Sequence, residues 1–168
     1  MKTLWISTTN QGKLNEFRNI LGQAFEIHSV AELPNYFAPP ETGTTFADNA
    51  RIKAKTLKAL KPGAWVVADD SGLEVNGLSG MPGVHSARYA GPKASDGENV
   101  AKLLKMVQIR TNGNRKAQFR CVLVAYDPSG QEHVVEGTVA GQISTTARGK
   151  GGFGYDPLFV PVGYDRTY

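Results

Sequence analysis

Asp69 and Asp70 stand side by side at the end of an apolar run, Ala64-Trp65-Val66-Val67-Ala68, and lead into Ser71, Gly72 and a resumed alternation at Leu73 and Val75. Carboxylates placed where a strand leaves a core can orient a water molecule or hold a hard cation. Adjacent side chains on an extended backbone point to opposite faces, so one of the pair faces a ligand while the other supports the fold; the alternation does not say which. A turn competes with this reading, because Asp-Asp-Ser-Gly is also ordinary turn composition.

Two further clusters carry chemistry. Ser7-Thr8-Thr9-Asn10-Gln11-Gly12-Lys13 is a polar loop ahead of a helical stripe. The N–H groups and positive dipole end of the following helix favour phosphate there, and Lys13 adds a mobile charge. One glycine cannot build a Walker loop, and a plain helix cap by Thr9 or Asn10 is the alternative. Further on, Gly151-Gly152-Phe153-Gly154-Tyr155-Asp156-Pro157 combines glycines, two aromatics and an acid, a set suited to stacking on a base and bonding its polar edge. In the glycine-rich stretch 76–91, Ser86 and Arg88 could reach a phosphate. His28 and His133 read as surface or edge strand positions. Cys121, flanked by Phe119, Val122, Leu123 and Val124, reads as a buried small hydrophobe and not a nucleophile.

The elements that must position these groups alternate between strand and helix. Residues 4–6 read as a strand, and Leu14, Phe17, Ile20 and Leu21 as the apolar stripe of a helix. A strand over 25–30 precedes a proline-containing loop, 34–43, that carries Glu41. Thr44 or Thr45 caps a helix over 46–60 with Phe46, Ala50, Ala54, Leu57 and Leu60 buried, ended by Pro62-Gly63. Asn49 and Lys53 lie four apart on one face of that helix, which is either plain solvent surface or overlooks a site containing Glu41. After the Asp69-Asp70 strand come a helix over 96–106 and a hairpin of strands 117–126 and 133–139 across Asp127-Pro128-Ser129-Gly130. In an α/β sheet the three polar clusters can converge at one edge, where ligand crevices form.

With 168 residues, 40% apolar and 20% charged, the chain suits a single domain with a substantial core. No apolar run approaches the ~20 residues that cross a bilayer, and the N-terminus lacks a secretory pattern, so no membrane partner and a cytoplasmic location are expected. The net charge of +4 is dispersed along the chain, which argues against nucleic acid as a partner. Acids without a His or Cys ligand set favour Mg²⁺ bridged to phosphates, and metal-assisted phosphoanhydride hydrolysis is the chemistry expected.

The chain resembles the inosine triphosphate pyrophosphatase family. The matching stretches are Thr8-x-Asn10-x-Gly12-Lys13; Glu41-Thr42-Gly43 with Phe46, Asn49, Ala50 and Lys53; Ala68-Asp69-Asp70-Ser71-Gly72-Leu73; Gly80-x-Pro82-Gly83-x-x-Ser86-Ala87-Arg88-Tyr89; and Gly151-Gly152-Phe153-Gly154-Tyr155-Asp156-Pro157-x-Phe159. The resemblance implies an α/β fold with a mixed central sheet flanked by helices and two lobes around a nucleotide cleft. It implies a homodimer that converts non-standard purine nucleoside triphosphates (ITP, dITP, XTP) to the monophosphate and pyrophosphate with Mg²⁺. By the same resemblance Asp70 orients or deprotonates the attacking water and binds the metal with Glu41. Thr8, Thr9, Asn10, Gln11, Gly12, Lys13 and Lys53 hold the triphosphate, Ser71 touches the substrate, and Phe153, Gly154, Tyr155 and Asp156 take the nucleoside, with Phe153 stacked on the purine.

Chains of that family usually continue to a lysine and a Ser-His-Arg motif on the purine side, whereas this sequence ends at Asp165-Arg166-Thr167-Tyr168. A truncated pyrophosphatase domain over 1–168 with weakened discrimination among purines is therefore expected. The alternative is a nucleotide-binding module with weak or relaxed activity. A related septum-inhibition pyrophosphatase family carries paired arginines where this chain has Gly12-Lys13, and fits less well.

Overall fold

Six strands and three α-helices make up residues 2–168, the part of the chain that the computed structural model describes. The strands are β1 (Lys2–Ile6), β2 (Phe25–Ser29), β3 (Trp65–Val75), β4 (Lys116–Tyr126), β5 (Glu132–Ile143) and β6 (Phe159–Pro161). The helices are α1 (Gln11–Leu21), α2 (Phe46–Leu60) and α3 (Asp96–Arg110). The strands form one sheet in the order β2-β1-β3-β4-β5-β6, with β1 parallel to both β2 and β3 and β6 antiparallel to β5. This is the mixed α/β sheet that the family resemblance implies.

The chain divides into two compact units, Met1–Asp70 with Val122–Glu136, and Ser71–Cys121 with Gly137–Tyr168. In the first unit the period of two along β3 feeds two separate cores. Val66 and Ala68 pack with Ala50, Ala54 and Leu57 of α2, while Val67 packs with Leu14 of α1. Thr45 caps α2 by accepting the Asp48 N–H at 3.1 Å, and Asn10 caps α1 by accepting the Lys13 N–H at 3.1 Å. In the second unit Leu73 and Val75 of β3 pack with Leu103 and Val107 of α3 and with Leu158 and Phe159.

Several sequence expectations change. The turn reading of Asp-Asp-Ser-Gly is overturned: β3 runs unbroken from Trp65 to Val75. Its neighbour β1 holds it in register, Leu4 opposite Trp65 and Ile6 opposite Val67, and Ser7 extends the ladder by donating its N–H to the Val67 carbonyl at 2.9 Å. Ladder hydrogen bonds outweigh local turn preference. Helix α1 starts at Gln11, so Gln11, Gly12 and Lys13 belong to its first turn and not to the loop. Ile20 is 79% exposed, because it lies about 120° around the helix from Leu14, and Leu60, the last residue of α2, is also exposed. Cys121 is half-buried.

Gly141 lies where β5 meets β6. A Cβ there would fall 2.3 Å from the Val160 carbonyl oxygen and 2.6 Å from the Phe159 ring. Gly141→Ala should cost about 2–3 kcal/mol in urea unfolding. Gly137→Ala, on the same strand but facing open space, should stay within about 0.5 kcal/mol. Equal losses from the two changes would show that the close approach at Gly141 is unimportant.

Candidate active site

The two faces of β3 separate the adjacent acids. Asp69 follows Val67 onto the α1 side, where Lys13 Nζ donates to its Oδ2 at 2.8 Å. Asp70 follows Val66 and Ala68 onto the α2 side. There the charges of Lys53, Glu41 and Lys13 and the Asn49 amide act on it. Which helix covers which face decides where each acid points, Asp69 toward α1 and Asp70 toward α2.

Around Asp70 the geometry is built from α2 and the loop before it. Lys53 Nζ pairs with Glu41 Oε1 at 3.1 Å. Asn49, one turn before Lys53 and fully buried, accepts the Gly43 N–H on its Oδ1 at 2.8 Å, which fixes the chain two residues after Glu41. Gly43 has no room for a side chain: a Cβ would fall 2.7 Å from Asn49 Oδ1. Among the described residues, three buried polar atoms lack a hydrogen-bond partner: Asn49 Nδ2, Asp69 Oδ1 and Asp70 Oδ2. The Asn49 amide favours the Asp70 anion electrostatically without meeting hydrogen-bond geometry.

Burial pushes the Asp70 carboxyl up to about 6; the Lys53 charge opposes this and the Glu41 charge adds to it. Unpartnered carboxylate oxygens with a second acid nearby are a donor set for a hard, oxygen-loving cation. Among the described residues no group of three or more His, Cys, Asp or Glu side chains could hold a metal unaided. One or two carboxylates completed by phosphate oxygens and water is the ordinary arrangement for Mg²⁺, so the residues present fit that ion.

The predicted phosphate loop lies in the same unit. Thr8 Oγ1 accepts the Asn10 N–H at 3.1 Å, and the Asn10 cap of α1 means that the cap reading is correct for that side chain. Thr9, Asn10 and Gln11 are exposed; Thr8, Gly12 and Lys13 are half-buried. Ser7 is buried and lies within hydrogen-bond distance of the Tyr36 hydroxyl, at 3.2 Å.

The second unit holds the other predicted residues. Ser71, the seventh residue of β3 and the first of the second unit, is half-buried. The Phe153 N–H donates to Asp156 Oδ2 at 3.0 Å, and the Gly154 N–H donates to Asp96 Oδ2 at 2.9 Å. Gly152 is required beneath this turn, since a Cβ would fall 2.0 Å from Asp156 Oδ2. Burial raises the pKa of Asp156, the Phe153 N–H lowers it and the nearby Asp96 charge raises it further. The Tyr155 hydroxyl is buried and donates to the Ser86 carbonyl at 2.6 Å. Ser86 itself is no phosphate ligand. Its hydroxyl is buried, accepts the Leu73 N–H at 3.0 Å and donates to the Gly83 carbonyl at 2.6 Å.

The structure therefore brings Lys13, Glu41, Lys53, Asp69 and Asp70 together within the first unit, and Phe153, Gly154, Tyr155 and Asp156 within the second. Sequence reasoning did not assign site roles to Asn49 or Asp96. Asn49 carried a signal, its place four residues before Lys53; Asp96 read only as an acid in a first helical turn.

Residues 4–168 match the sequence profile of the Ham1 family. The chain belongs to that family. It is 51% identical over 166 residues to the dITP/XTP pyrophosphatase of Bdellovibrio bacteriovorus, covering 98% of this chain and 83% of that protein. It is 46% identical over 160 residues to a dITP/XTP pyrophosphatase of Streptococcus pyogenes, covering 94% of this chain but only 48% of the relative, about half its length. Among solved structures, the Ham1 protein of Staphylococcus aureus superposes with a TM-score of 0.83 at 42% identity, covering 99% of this chain and 84% of that one. A HAM1 protein of Coxiella burnetii gives 0.87 at 35% identity, with 99% and 85% covered. Both the resemblance read from the motifs and the α/β fold class agree with this membership.

The raised Asp70 pKa has a consequence for stability. A carboxyl whose folded pKa exceeds its unfolded value favours folding when protonated. The burial penalty is thus absent below the unfolded value of 3.8 and complete above about 6. In chelator-treated protein, Asp70→Asn should be more stable than the parent at neutral pH by up to about 3 kcal/mol. The difference should close as pH falls below about 4. Urea titrations at pH 7.5 and 4 measure this, and a variant less stable at pH 7.5 would show that Asp70 is not penalised by burial.

Proposed function

We propose that the chain is a nucleoside triphosphate pyrophosphatase that hydrolyses non-standard purine nucleoside triphosphates of the ITP, dITP and XTP kind to the monophosphate and pyrophosphate. The observation that carries the reading is Asp70: a buried carboxylate with an unpartnered oxygen, set beside the Glu41–Lys53 pair. Buried acids without partners cost stability and persist where they serve a ligand. The relatives named dITP/XTP pyrophosphatase supply the substrate class.

In this reading Asp70 and Glu41 are the residues that hold Mg²⁺. When bound, the ion neutralises phosphate charge and polarises the phosphorus–oxygen bonds. The Asp70 carboxylate orients the attacking water and accepts its proton. Lys53, Lys13 and the N–H groups that open α1 hold the triphosphate against repulsion from the acids. Ser71 touches the substrate. Phe153 stacks on the purine, and the loop 153–156 takes the nucleoside through Asp156. The bond between the α- and β-phosphates breaks, water supplies the oxygen, and pyrophosphate leaves.

The reading extends to a cytoplasmic enzyme that clears aberrant nucleotides and to association of two copies. Among the described residues, no helix is long and apolar enough to cross a membrane. Strand β5 leaves Val135 exposed at 61%, an apolar side chain that a second copy would cover. Light scattering should give twice the monomer mass for the parent and the monomer mass for Val135→Glu; a monomeric parent would remove this part of the proposal.

Pyrophosphate release measured with Mg²⁺ on ITP, XTP, dGTP and ATP tests the activity. Release should be fastest from ITP and XTP, and Asp70→Asn should lower kcat by about a hundredfold to ten-thousandfold while the variant stays folded. Nucleotide binding with no release by the parent would instead leave a binding module.

A further inference from the structure

The turn that contains Phe153 is held by two carboxylates, and one of them comes from a distant part of the sequence. Asp156 secures the Phe153 N–H from within the turn, whereas Asp96, 58 residues away, secures the Gly154 N–H at 2.9 Å. Asp96 is the first residue of α3, where an acid commonly serves the helix itself. Here the helix start is already satisfied. Ser95 accepts the Glu98 N–H at 3.2 Å, and Glu98 returns the bond to the Ser95 N–H at 3.1 Å, a complete capping box. The Asp96 side chain is thereby free to reach across to the turn.

Gly154 has φ +61°, a left-handed conformation, and nothing lies within 4 Å of a Cβ built on it. Backbone conformation, and not lack of room, selects glycine here. A left-handed residue in an exposed turn keeps its conformation only while its backbone groups are held. The N–H that Asp96 accepts is that hold. Tyr155, next in the chain, is buried on the Ser86 carbonyl, and Gly152 packs against Asp156, so the turn is pinned on either side of Gly154 and Asp96 fixes the residue between.

We propose that Asp96 is a positioning residue that keeps the turn 153–156 preformed, so that Phe153 and Asp156 meet the nucleoside without first ordering the chain. The inference rests on the nucleoside role given above to that turn. A preformed turn lowers the ordering cost of binding and leaves the phosphate-holding residues of the first unit unaffected.

The test is calorimetric binding of inosine 5′-monophosphate and, separately, of inorganic tripolyphosphate, to the parent, Asp96→Ala and Asp96→Asn. The alanine variant should bind the monophosphate about tenfold to a hundredfold more weakly, the loss of one charge-assisted hydrogen bond. Asp96→Asn, which keeps a carbonyl oxygen in place, should recover most of that loss. Tripolyphosphate affinity should be the same in all three, and any fall in the thermal midpoint of Asp96→Ala should be a few degrees and return in Asp96→Asn. Unchanged monophosphate affinity in Asp96→Ala would overturn the inference. So would a parallel loss for tripolyphosphate, a lowered thermal midpoint that Asn does not restore, or a parent that does not bind the monophosphate. A parent that binds the monophosphate but releases no pyrophosphate from ITP would instead sink the activity reading while the Asp96 comparison still decides.

Discussion

The ladder between β1 and β3 fixes the register of β3, and the chemistry of the first unit depends on that register. Leu4 to Ile6 align opposite Trp65 to Val67, and from there strict alternation sends Asp69 to the α1 side and Asp70 to the α2 side. A slip of one residue would put Asp70 against Lys13 and Asp69 against Lys53. The two lysines would then face the wrong acids and the hydrophobic positions 66 to 68 would exchange cores. Apolar packing on both faces of the strand thus protects the placement of two charged groups that cost stability individually.

That cost is tolerated in different ways on the two faces. Asp69, almost fully buried, is paired with Lys13 at 2.8 Å. Asp70 sits among a lysine that opposes its burial and a glutamate that adds to it, and its carboxyl is held near 6. The first acid is a stable ion pair. Each acid leaves one oxygen without a hydrogen-bond partner, Oδ1 of Asp69 and Oδ2 of Asp70.

Much of this was legible in the sequence. Helix α2 begins and ends where Thr45 and Pro62-Gly63 say it should, because caps and breakers act over a few residues. The motif residues of the cluster of acids and lysines were also legible, since their types and spacing carry the resemblance. Illegible were the outcomes set by partners distant in sequence. Asp-Asp-Ser-Gly could not announce that it lies inside a strand, because β3 is a central strand between β1 and β4, neighbours distant in sequence. The sides taken by Asp69 and Asp70 needed knowledge of which helix covers which face. A serine in a glycine-rich loop could reach a phosphate and gives no sign that its hydroxyl is tied, as that of Ser86 is, to Leu73 and Gly83. The bond from Gly154 to Asp96 spans 58 residues, and no periodicity reports such a contact.

Glu41 is registered from its C-terminal side: the Thr42 N–H donates to the Pro40 carbonyl at 3.1 Å, Gly43 is clasped by Asn49, and the Glu41 carboxylate is paired with Lys53. Helix α2 is therefore the ruler for this acid, and the stretch 37–39 is only a tether between that ruler and Tyr36. Loop closure entropy grows slowly with length, so insertions after Phe37, itself 85% exposed, can accumulate without moving Glu41. The length of the loop is open to change, while the spacing from Glu41 to Asn49 and Lys53 is not.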